Sequence, residues 1–94
     1  MVIRFFASIR NITKVREISW NEPIPTLGVL LGGLSDHYGP EFRRWVLKGD
    51  ELGESVLVLV NGQDVRHQAG LDTPLGAADI VTILPMMAGG MVVQ

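Results

Sequence analysis

Cysteine is absent from this chain of 94 residues. Without thiols the protein forms neither a disulfide nor a thiolate metal site, and it has no thiol nucleophile. Histidine is scarce as well, because His37 and His67 are the only two. No cluster of Asp or Glu lies at ligand spacing beside either histidine, so the sequence predicts no bound metal.

An excess of positive charge and a long apolar run are also missing. The chain carries 8 Lys and Arg against 10 Asp and Glu, for a net charge of -2. Because phosphate backbones attract basic surfaces, nucleic acid is not an expected partner. No apolar run reaches the roughly 18 residues of a membrane span, and the N-terminus lacks the pattern of a signal peptide. We therefore expect a cytoplasmic protein that binds neither nucleic acid nor a membrane.

What remains is the composition of one small folded domain, with 47% hydrophobic and 19% charged residues. Alternation of side chains predicts a strand over residues 2–7 and a second one over residues 13–20, joined as a hairpin. Thr26 is a plausible N-cap, and apolar residues then recur at helical spacing as far as Tyr38. The pair Gly39-Pro40 is typical of a helix end, so we predict one main helix between these points.

The second half of the chain starts with an ambiguous segment. Residues 41–47 are compatible with a short helical turn or with an irregular segment that carries Phe42 and Trp45 inward, and residues 48–54 read as an exposed loop. Every position of residues 56–60 is apolar, which predicts a strand covered on both sides. Asn61-Gly62 follows as a tight-turn signal.

The last third of the chain is predicted to cross the surface before it returns to the sheet. Residues 64–78 are rich in turn formers, and residues 79–84 form the last strand. Two strands, a helix and two strands predict an α+β fold of the β-grasp type, with a mixed sheet of four to five strands on one main helix. The first and last strands would be parallel at its centre. Residues 1–85 would then form the domain, and residues 86–94 a C-terminal arm.

Four blocks of sequence occur in the order and with the intervals of a known family. They are Phe5-Phe6-Ala7-x-x-Arg10, Val60-Asn61-Gly62-x-Asp64-Val65-Arg66, Leu71-Asp72-Thr73-Pro74-Leu75 and Ile83-Leu84-Pro85-x-x-Ala88-Gly89-Gly90. Over residues 1–90 the chain resembles the MoaD family of ubiquitin-like sulfur carriers, whose smaller relatives include ThiS. The resemblance implies a ubiquitin-like β-grasp fold.

The resemblance also implies a cycle in which partners carry out the catalysis. A ubiquitin-activating-type enzyme would use ATP to adenylate the carboxylate of Gly90, and a sulfurtransferase would replace the adenylate with sulfur. The resulting thiocarboxylate would deliver sulfur to a molybdopterin precursor in the large subunit of molybdopterin synthase. Gly89 would be the second slim residue of the arm. The chain itself would be a carrier without a bound cofactor and would not be an enzyme.

Two departures from the family pattern concern the arm. Four residues, Met91 to Gln94, follow Gly90, whereas carriers of this kind usually end at the second glycine. A metal-dependent peptidase of the JAMM type would be the family-like partner that removes them. Met86-Met87 stands where a second proline is common, which alters how stiffly the arm leaves the sheet.

Partner contacts are predicted around the end of the sheet. Phe6 shares a strand face with Arg4 and should be exposed, and Leu84 shares a face with Thr82 on the adjacent strand. An exposed patch of Phe6 and Leu84 would dock the activating enzyme and the synthase, although incidental surface apolarity is the plain alternative. The full predicted partner-contacting set is Phe6, Leu84, Pro85, Met86, Met87, Ala88 and Gly89. Met86 and Met87 could equally cover the open end of the core.

Several features have simpler structural explanations. Turn capping and a solvated ion pair explain Asp64, Arg66 and Asp72 better than a catalytic set does. Gly32-Gly33 lacks the preceding strand and the spacing of a phosphate loop, so ATP should be bound by the partner.

Three functions from different classes stay open: a sulfur carrier, a protein modifier joined through Gly90 to lysines of targets, and an interaction module in which residues 85–94 merely pack. For a carrier, the acceptor could also be the tungsten counterpart of molybdopterin, or it could belong to thiamine, cysteine or tRNA thiolation chemistry.

Overall fold

The computed structural model describes residues 1–86. This part of the chain contains seven strands, three α-helices and two 3-10 turns. In chain order they are β1 (Val2–Phe5), α1 (Ala7–Thr13), β2 (Glu17–Ser19), α2 (Leu27–Tyr38), α3 (Pro40–Val46), β3 (Leu47–Lys48), β4 (Glu51–Leu52), β5 (Val56–Val60), β6 (Gln63–Asp64), the 3-10 turns Val65–His67 and Gly70–Asp72, and β7 (Ile80–Pro85). Within the described residues, no helix is long and apolar enough to cross a bilayer.

A mixed five-stranded sheet organises the fold, with the strand order β2-β1-β7-β5-β6. The first and last strands, β1 and β7, run parallel next to each other, and the other neighbours are antiparallel. The sequence predicted this central parallel pair, and the prediction is confirmed. Because the helices pack on one face of the sheet, the arrangement is the expected α+β β-grasp.

The predicted hairpin at the N-terminus is wrong in its connection. The strand β1 ends at Phe5, and Ala7, which we assigned to the strand, begins the helix α1. Thr13, the predicted start of the second strand, is the last residue of that helix, and β2 covers only Glu17–Ser19. Ile9 and Thr13 are both buried and stand four residues apart, so one face of α1 closes the core at this end.

The main helix forms as predicted. The Thr26 hydroxyl accepts a 3.4 Å hydrogen bond from the amide of Val29, as an N-cap residue does. Gly39 ends the helix with φ at 102°, a conformation that favours glycine. Pro40 then begins α3, which resolves the ambiguous segment in favour of a helix. Phe42 is fully buried there, whereas Trp45, which was also predicted to point inward, is half-buried.

The segment predicted as an exposed loop contains ordered structure. The strands β3 and β4 pair as a small hairpin in which Leu47 lies opposite Leu52. Gly53 follows as a buried residue, and its amide donates a 2.9 Å hydrogen bond to the carbonyl of Val46. Most side chains of residues 48–54 are exposed, as predicted, but the backbone forms a hairpin and not a loop. The polar sequence of this segment gave no sign of the backbone pairing.

The apolar run in β5 is covered less completely than predicted. Its three valines, Val56, Val58 and Val60, face the helices and are buried, whereas Leu57 and Leu59 are half-buried on the opposite face. Within residues 1–86, no second layer of helices covers that outer face, so an uninterrupted apolar run here does not mean burial on both sides. The run also leaves leucine side chains on the surface of the sheet.

The connections that follow β5 agree with the sequence. Asn61 and Gly62 have φ values of 52° and 85°, which identify the two-residue turn into β6 as type I′. The predicted surface excursion is confirmed, since it consists of two 3-10 turns and a bridge from Pro74 back to Thr26. The last strand covers Ile80–Pro85, one residue later than predicted at each end.

The hydrophobic core lies between the inner face of the sheet and the three helices. Its largest fully buried side chains include Phe5, Phe42, Ile3, Ile9 and four leucines of α2. Phe5 meets Phe42 edge to face with ring centroids 6.2 Å apart. Burial of each such side chain stabilises the domain by about 1.5–3 kcal/mol. Helix α3 therefore contributes to the stability of the core through Phe42.

Candidate functional site: the arm end of the sheet

The residues that the sequence singled out lie at one end of the strands of the sheet. Because β1 and β7 are parallel, their C-terminal ends lie at this same end, and the antiparallel β5 begins there at Val56. Phe6 follows β1, Met86 follows β7, and Ser55 precedes β5. We call this end of the sheet the arm end, since residues 87–94 continue the chain from it.

Phe6 lies at the arm end with an exposed ring. Its backbone is extended, with φ at -126° and ψ at 153°, and it occupies the N-cap position of α1. The preceding Phe5 is buried against the helices, so strand alternation turns Phe6 to the outer face of the sheet. The residue is 44% exposed, which confirms the predicted exposure. Its role in partner binding stays a prediction.

Leu84 lies on the same outer face but is half-buried rather than freely exposed. It alternates with the buried Val81 and Ile83, and it therefore shares its face with Thr82, as predicted. Leu57 of β5 stands directly opposite Leu84 in the antiparallel register, which explains why Leu84 is partly covered.

Leu57 is a residue of the candidate site that the sequence did not predict. We define the outer patch as Phe6, Leu57 and Leu84, which the strand register places side by side at the arm end. Leu57 belongs to the apolar run that we predicted to be buried on both faces. Its alternation with the valines carried no signal, because all five residues of the run are apolar. Only the pairing of β5 with β7 reveals which positions reach the surface.

The strand β7 ends at the two residues predicted to begin the arm. Pro85 pairs with Val56 and is half-buried, and it has no amide hydrogen to donate. The amide of Met86 donates a 2.7 Å hydrogen bond to the carbonyl of Ser55, so the pairing reaches one residue beyond the strand. Met86 is 39% exposed and does not seal the core. The predicted contact residues Met87, Ala88, Gly89 and Gly90 lie outside the described residues.

The polar residues of the second sequence block have structural partners. The carboxylate of Asp64 accepts a 2.9 Å hydrogen bond from the amide of Arg66, which confirms turn capping. The predicted ion pair is wrong, because the guanidinium of Arg66 donates to the carbonyls of Val56 and Gly53 instead. Main-chain carbonyls accept charged donors without a carboxylate. This block therefore positions backbone at the start of β5, and its chemistry is not that of a catalytic set.

Metal-ligating groups do not converge in the part of the chain that the structure describes. No three His, Asp or Glu side chains of residues 1–86 could hold one metal ion together. The imidazole of His37 instead packs edge to face on Tyr38, with ring centroids 4.6 Å apart.

Among the surface concavities formed by residues 1–86, two lie at opposite ends of the sheet. The larger one, of about 480 Å³, is lined by Met1, Trp20 and Leu75 among others, and Met1 precedes the end of β1 that is remote from the arm. The smaller one, of about 350 Å³, lies beside the arm end and is lined by Glu41, Arg44, Trp45 and Ser55. The arm end thus presents two different surfaces, with the apolar outer patch on one side of the sheet and a charged hollow on the helical side.

Comparison with known proteins matches nearly the whole chain. The model of the family described as "ThiS family" matches residues 3–90. Small archaeal modifier protein 3 of Haloferax volcanii is 35% identical over 89 residues, which are 94% of this chain and 96% of that protein. Sulfur carrier protein CysO of Mycobacterium tuberculosis is 37% identical over 67 residues, which are 69% of this chain and 72% of that protein.

The fold comparison points the same way. The solution structure of the Haloferax volcanii HVO 2177 protein superposes with a TM-score of 0.83 at 32% identity, and it covers 95% of this chain and 84% of that one. The architecture is therefore the ubiquitin-like β-grasp that the resemblance implied. The molybdopterin subtype and the use of the four residues after Gly90 stay predictions.

Proposed function

Because the chain belongs to the ThiS family of ubiquitin-like sulfur carriers, we propose that it carries sulfur as a thiocarboxylate on Gly90. The carboxylate becomes available when Met91 to Gln94 are removed. The sulfur is delivered to a precursor of molybdopterin in the large subunit of a molybdopterin synthase. The chain contributes the carboxylate and the fold that presents it, and partner enzymes contribute ATP binding and catalysis.

The observation that supports this proposal best is the geometry of the arm end. After β7 the chain leaves the sheet beside the exposed Phe6 and the pair Leu57 and Leu84. Gly90 follows four residues after Met86, so an extended chain would reach at most about 14 Å from there. A partner that docks on the outer patch would therefore have its active site within reach of the terminal carboxylate.

The proposed chemistry needs no catalytic group from the carrier. A carboxylate oxygen of Gly90 attacks the α-phosphorus of ATP, pyrophosphate leaves, and the product is a mixed anhydride. Sulfide then attacks the activated carbonyl carbon and AMP leaves, which gives the thiocarboxylate; a persulfide donor would need a further thiol to release it. Glycine at the last two positions keeps the arm narrow enough for the pocket of another enzyme.

The proposed partners follow from these steps. A ubiquitin-activating-type enzyme adenylates the carrier, the large synthase subunit receives the sulfur, and a JAMM-type peptidase removes the four residues after Gly90. The outer patch is the proposed docking surface for the first two, together with Pro85 and Met86. Met87, Ala88 and Gly89 are the proposed contacts inside the active-site channel of the partner.

A protein modifier is the second candidate, because a relative with 35% identity over 94% of this chain is named a small archaeal modifier protein. A modifier needs the same free carboxylate of Gly90 and the same adenylation. It differs in its product, which is an isopeptide bond to a lysine of a target protein.

The experiment compares three purified forms: the full chain, a chain that ends at Gly90, and a matched control that ends at Gly89. ATP-pyrophosphate exchange with the cognate activating enzyme should occur only with the form that ends at Gly90. Equal exchange with the full chain would contradict the need for tail removal, and exchange with none of the three would contradict the carrier function.

The product then separates the two candidates. After incubation with a sulfurtransferase and a sulfur donor, intact mass should show one oxygen replaced by sulfur. Transfer of that sulfur to a molybdopterin precursor by the large synthase subunit would support the proposed acceptor. Transfer only in a thiamine, cysteine or tRNA thiolation assay would reassign it. Larger species linked through Gly90 to lysines, without the sulfur mass, would favour the modifier.

A further inference from the structure

Met86, the first residue after β7, is held by a short segment at the beginning of β5. The amide of Met86 donates its 2.7 Å hydrogen bond to the carbonyl of Ser55, and this is the last backbone pairing before residue 87. The direction in which the chain leaves the sheet therefore depends on where the Ser55 carbonyl lies. Ser55 lies within residues 53–56, which we call the bracket segment.

Among residues 1–86, no strand pairs with one edge of the bracket segment. Because Ser55 and Met86 form a hydrogen-bonded pair, the alternation of an antiparallel ladder turns the carbonyl of Val56 away from β7. The neighbouring strand on that side, β6, pairs only with Leu59 and Val60. An exposed carbonyl at a sheet edge is free to fray or to pair elsewhere unless a side chain occupies it.

The guanidinium of Arg66 occupies this edge. Its Nη1 donates a 2.7 Å hydrogen bond to the carbonyl of Val56, and its Nη2 donates to the carbonyl of Gly53. The two acceptors lie on either side of Ser55 in the sequence. A guanidinium presents several donors in a rigid planar fork, which a single ammonium group cannot reproduce.

Both ends of this bridge are fixed by other contacts. On the donor side, the backbone of Arg66 is held by the carboxylate of Asp64, and the neighbouring Val65 is fully buried. On the acceptor side, the amide of Gly53 donates to the carbonyl of Val46 at 2.9 Å. The bridge therefore connects two ordered parts of the fold across the edge of the sheet.

We propose that Arg66 is a positioning residue for the arm: its guanidinium fixes the bracket segment, and through the Ser55 carbonyl it fixes the point and direction at which the chain leaves the sheet. This inference rests on the proposed function for its consequence in catalysis. An arm that starts from a fixed base loses less conformational freedom when a partner binds it. Loss of the guanidinium would leave two carbonyls without their donor and would let the pair of Ser55 and Met86 open.

The direct test is amide hydrogen exchange in the form that ends at Gly90. In Arg66→Gln the amide of Met86 should exchange about tenfold faster, the effect of one lost hydrogen bond of ordinary strength. The amide of Asn61 serves as an internal reference, because it bonds to Ile80 at 2.8 Å at the opposite end of the same strand pair. It should not change.

Arg66→Lys is the conservative variant, and it should protect Met86 to an intermediate degree because an ammonium reaches one carbonyl but does not bridge two. This variant also provides the test if Arg66→Gln does not fold. Arg43→Gln is the matched control, since it removes an arginine whose partner is the exposed carboxylate of Asp36. Equal acceleration at Met86 and Asn61 would show a purely global effect on stability and would overturn the proposal, as would an unchanged rate at Met86.

A second readout connects Arg66 to activity. In pyrophosphate exchange, Arg66→Gln should raise the KM for the carrier several-fold with little change in kcat, because a less ordered arm binds more weakly before the same chemistry occurs. An unchanged KM would overturn the functional part of the inference. If the form that ends at Gly90 is not adenylated at all, the proposed function fails while the exchange result at Met86 still decides the structural part.

Discussion

The amide of Phe6 donates a 3.1 Å hydrogen bond to the carbonyl of Ile83. This bond continues the parallel pairing of β1 and β7 one residue past the end of β1. It therefore holds the first turn of α1 against the last strand, and it places the exposed ring of Phe6 beside the outer face of Leu84. The N-terminal strand thus helps to define the surface from which the C-terminal arm departs.

Substitution of Phe6 by arginine should weaken binding of the activating enzyme at least tenfold, because loss of an exposed aromatic anchor costs about 1.4 kcal/mol or more of binding free energy. Val29→Arg is the matched control, since Val29 is 51% exposed on helix α2 and away from the outer face. Titration calorimetry gives both affinities. A collapse of thermal stability in Phe6→Arg would mean that the side chain belongs to the core.

Substitution of Leu57 by asparagine should also weaken partner binding, although the sequence did not point to this residue. Leu57 is half-buried, so the change should reduce the free energy of unfolding by only about 1 kcal/mol. Val2→Asn provides the control, because Val2 is half-buried on the same outer face at the other end of the sheet. Surface plasmon resonance with immobilised partner compares the two. Equal loss of affinity in both variants would place the docking surface elsewhere on the sheet.

Substitution of Gly53 by alanine should destabilise the domain by about 3 kcal/mol or more, as overpacking against fixed backbone does. A β-carbon at this position would stand 2.1 Å from the carbonyl oxygen of Trp45. Gly32→Ala is the counterpart in helix α2, where a β-carbon meets nothing within 4 Å. That change should stabilise the helix by about 0.5–1 kcal/mol. Urea unfolding measures both, and similar values for the two variants would contradict the packing at Gly53.

The stability of the domain should depend on the protonation of Asp79. Its carboxylate accepts hydrogen bonds from the side chain of Asn61 at 2.9 Å and from the amide of Gly76 at 2.7 Å, which lower the pKa of Asp79 below its ordinary value of 3.8. A lowered folded-state pKa stabilises the fold fully above that ordinary value. The contribution is lost as the pH falls through the lowered pKa.

Asp79→Asn tests this contribution. The free energy of unfolding of the unmodified chain should exceed that of the variant at neutral pH, and the gap should close as the pH falls below the lowered pKa of Asp79. Urea titrations at several pH values measure the gap, with Glu54→Gln as the control. Glu54 also has a lowered pKa, but its partner is the exposed Lys48, so salt should screen its effect. A gap for Asp79 that is independent of pH would contradict the assignment.

Local patterns were sufficient wherever the structure depends on neighbouring residues. The hydroxyl of Thr26 caps the helix that it precedes, and Asn61-Gly62 forms the turn that its two positive φ values require. These signals act over two to four residues, so they are visible in the sequence. Helix α1 was missed for the opposite reason, because seven residues do not sustain a helix without tertiary contacts. The burial of Ile9 and Thr13 against the sheet and α3 stabilises it.

The candidate site divides along the same line. The sequence by itself determined the main helix, the parallel pairing of the first and last strands, the exposure of Phe6 and the position of the paired glycines after the last strand, because alternation and motif spacing are properties of the chain. Only the tertiary structure decided that Leu57 joins Leu84 on the outer face and that Arg66 reaches carbonyls ten and thirteen residues earlier. These contacts depend on strand register and on an open sheet edge, which exist only after distant segments have come together.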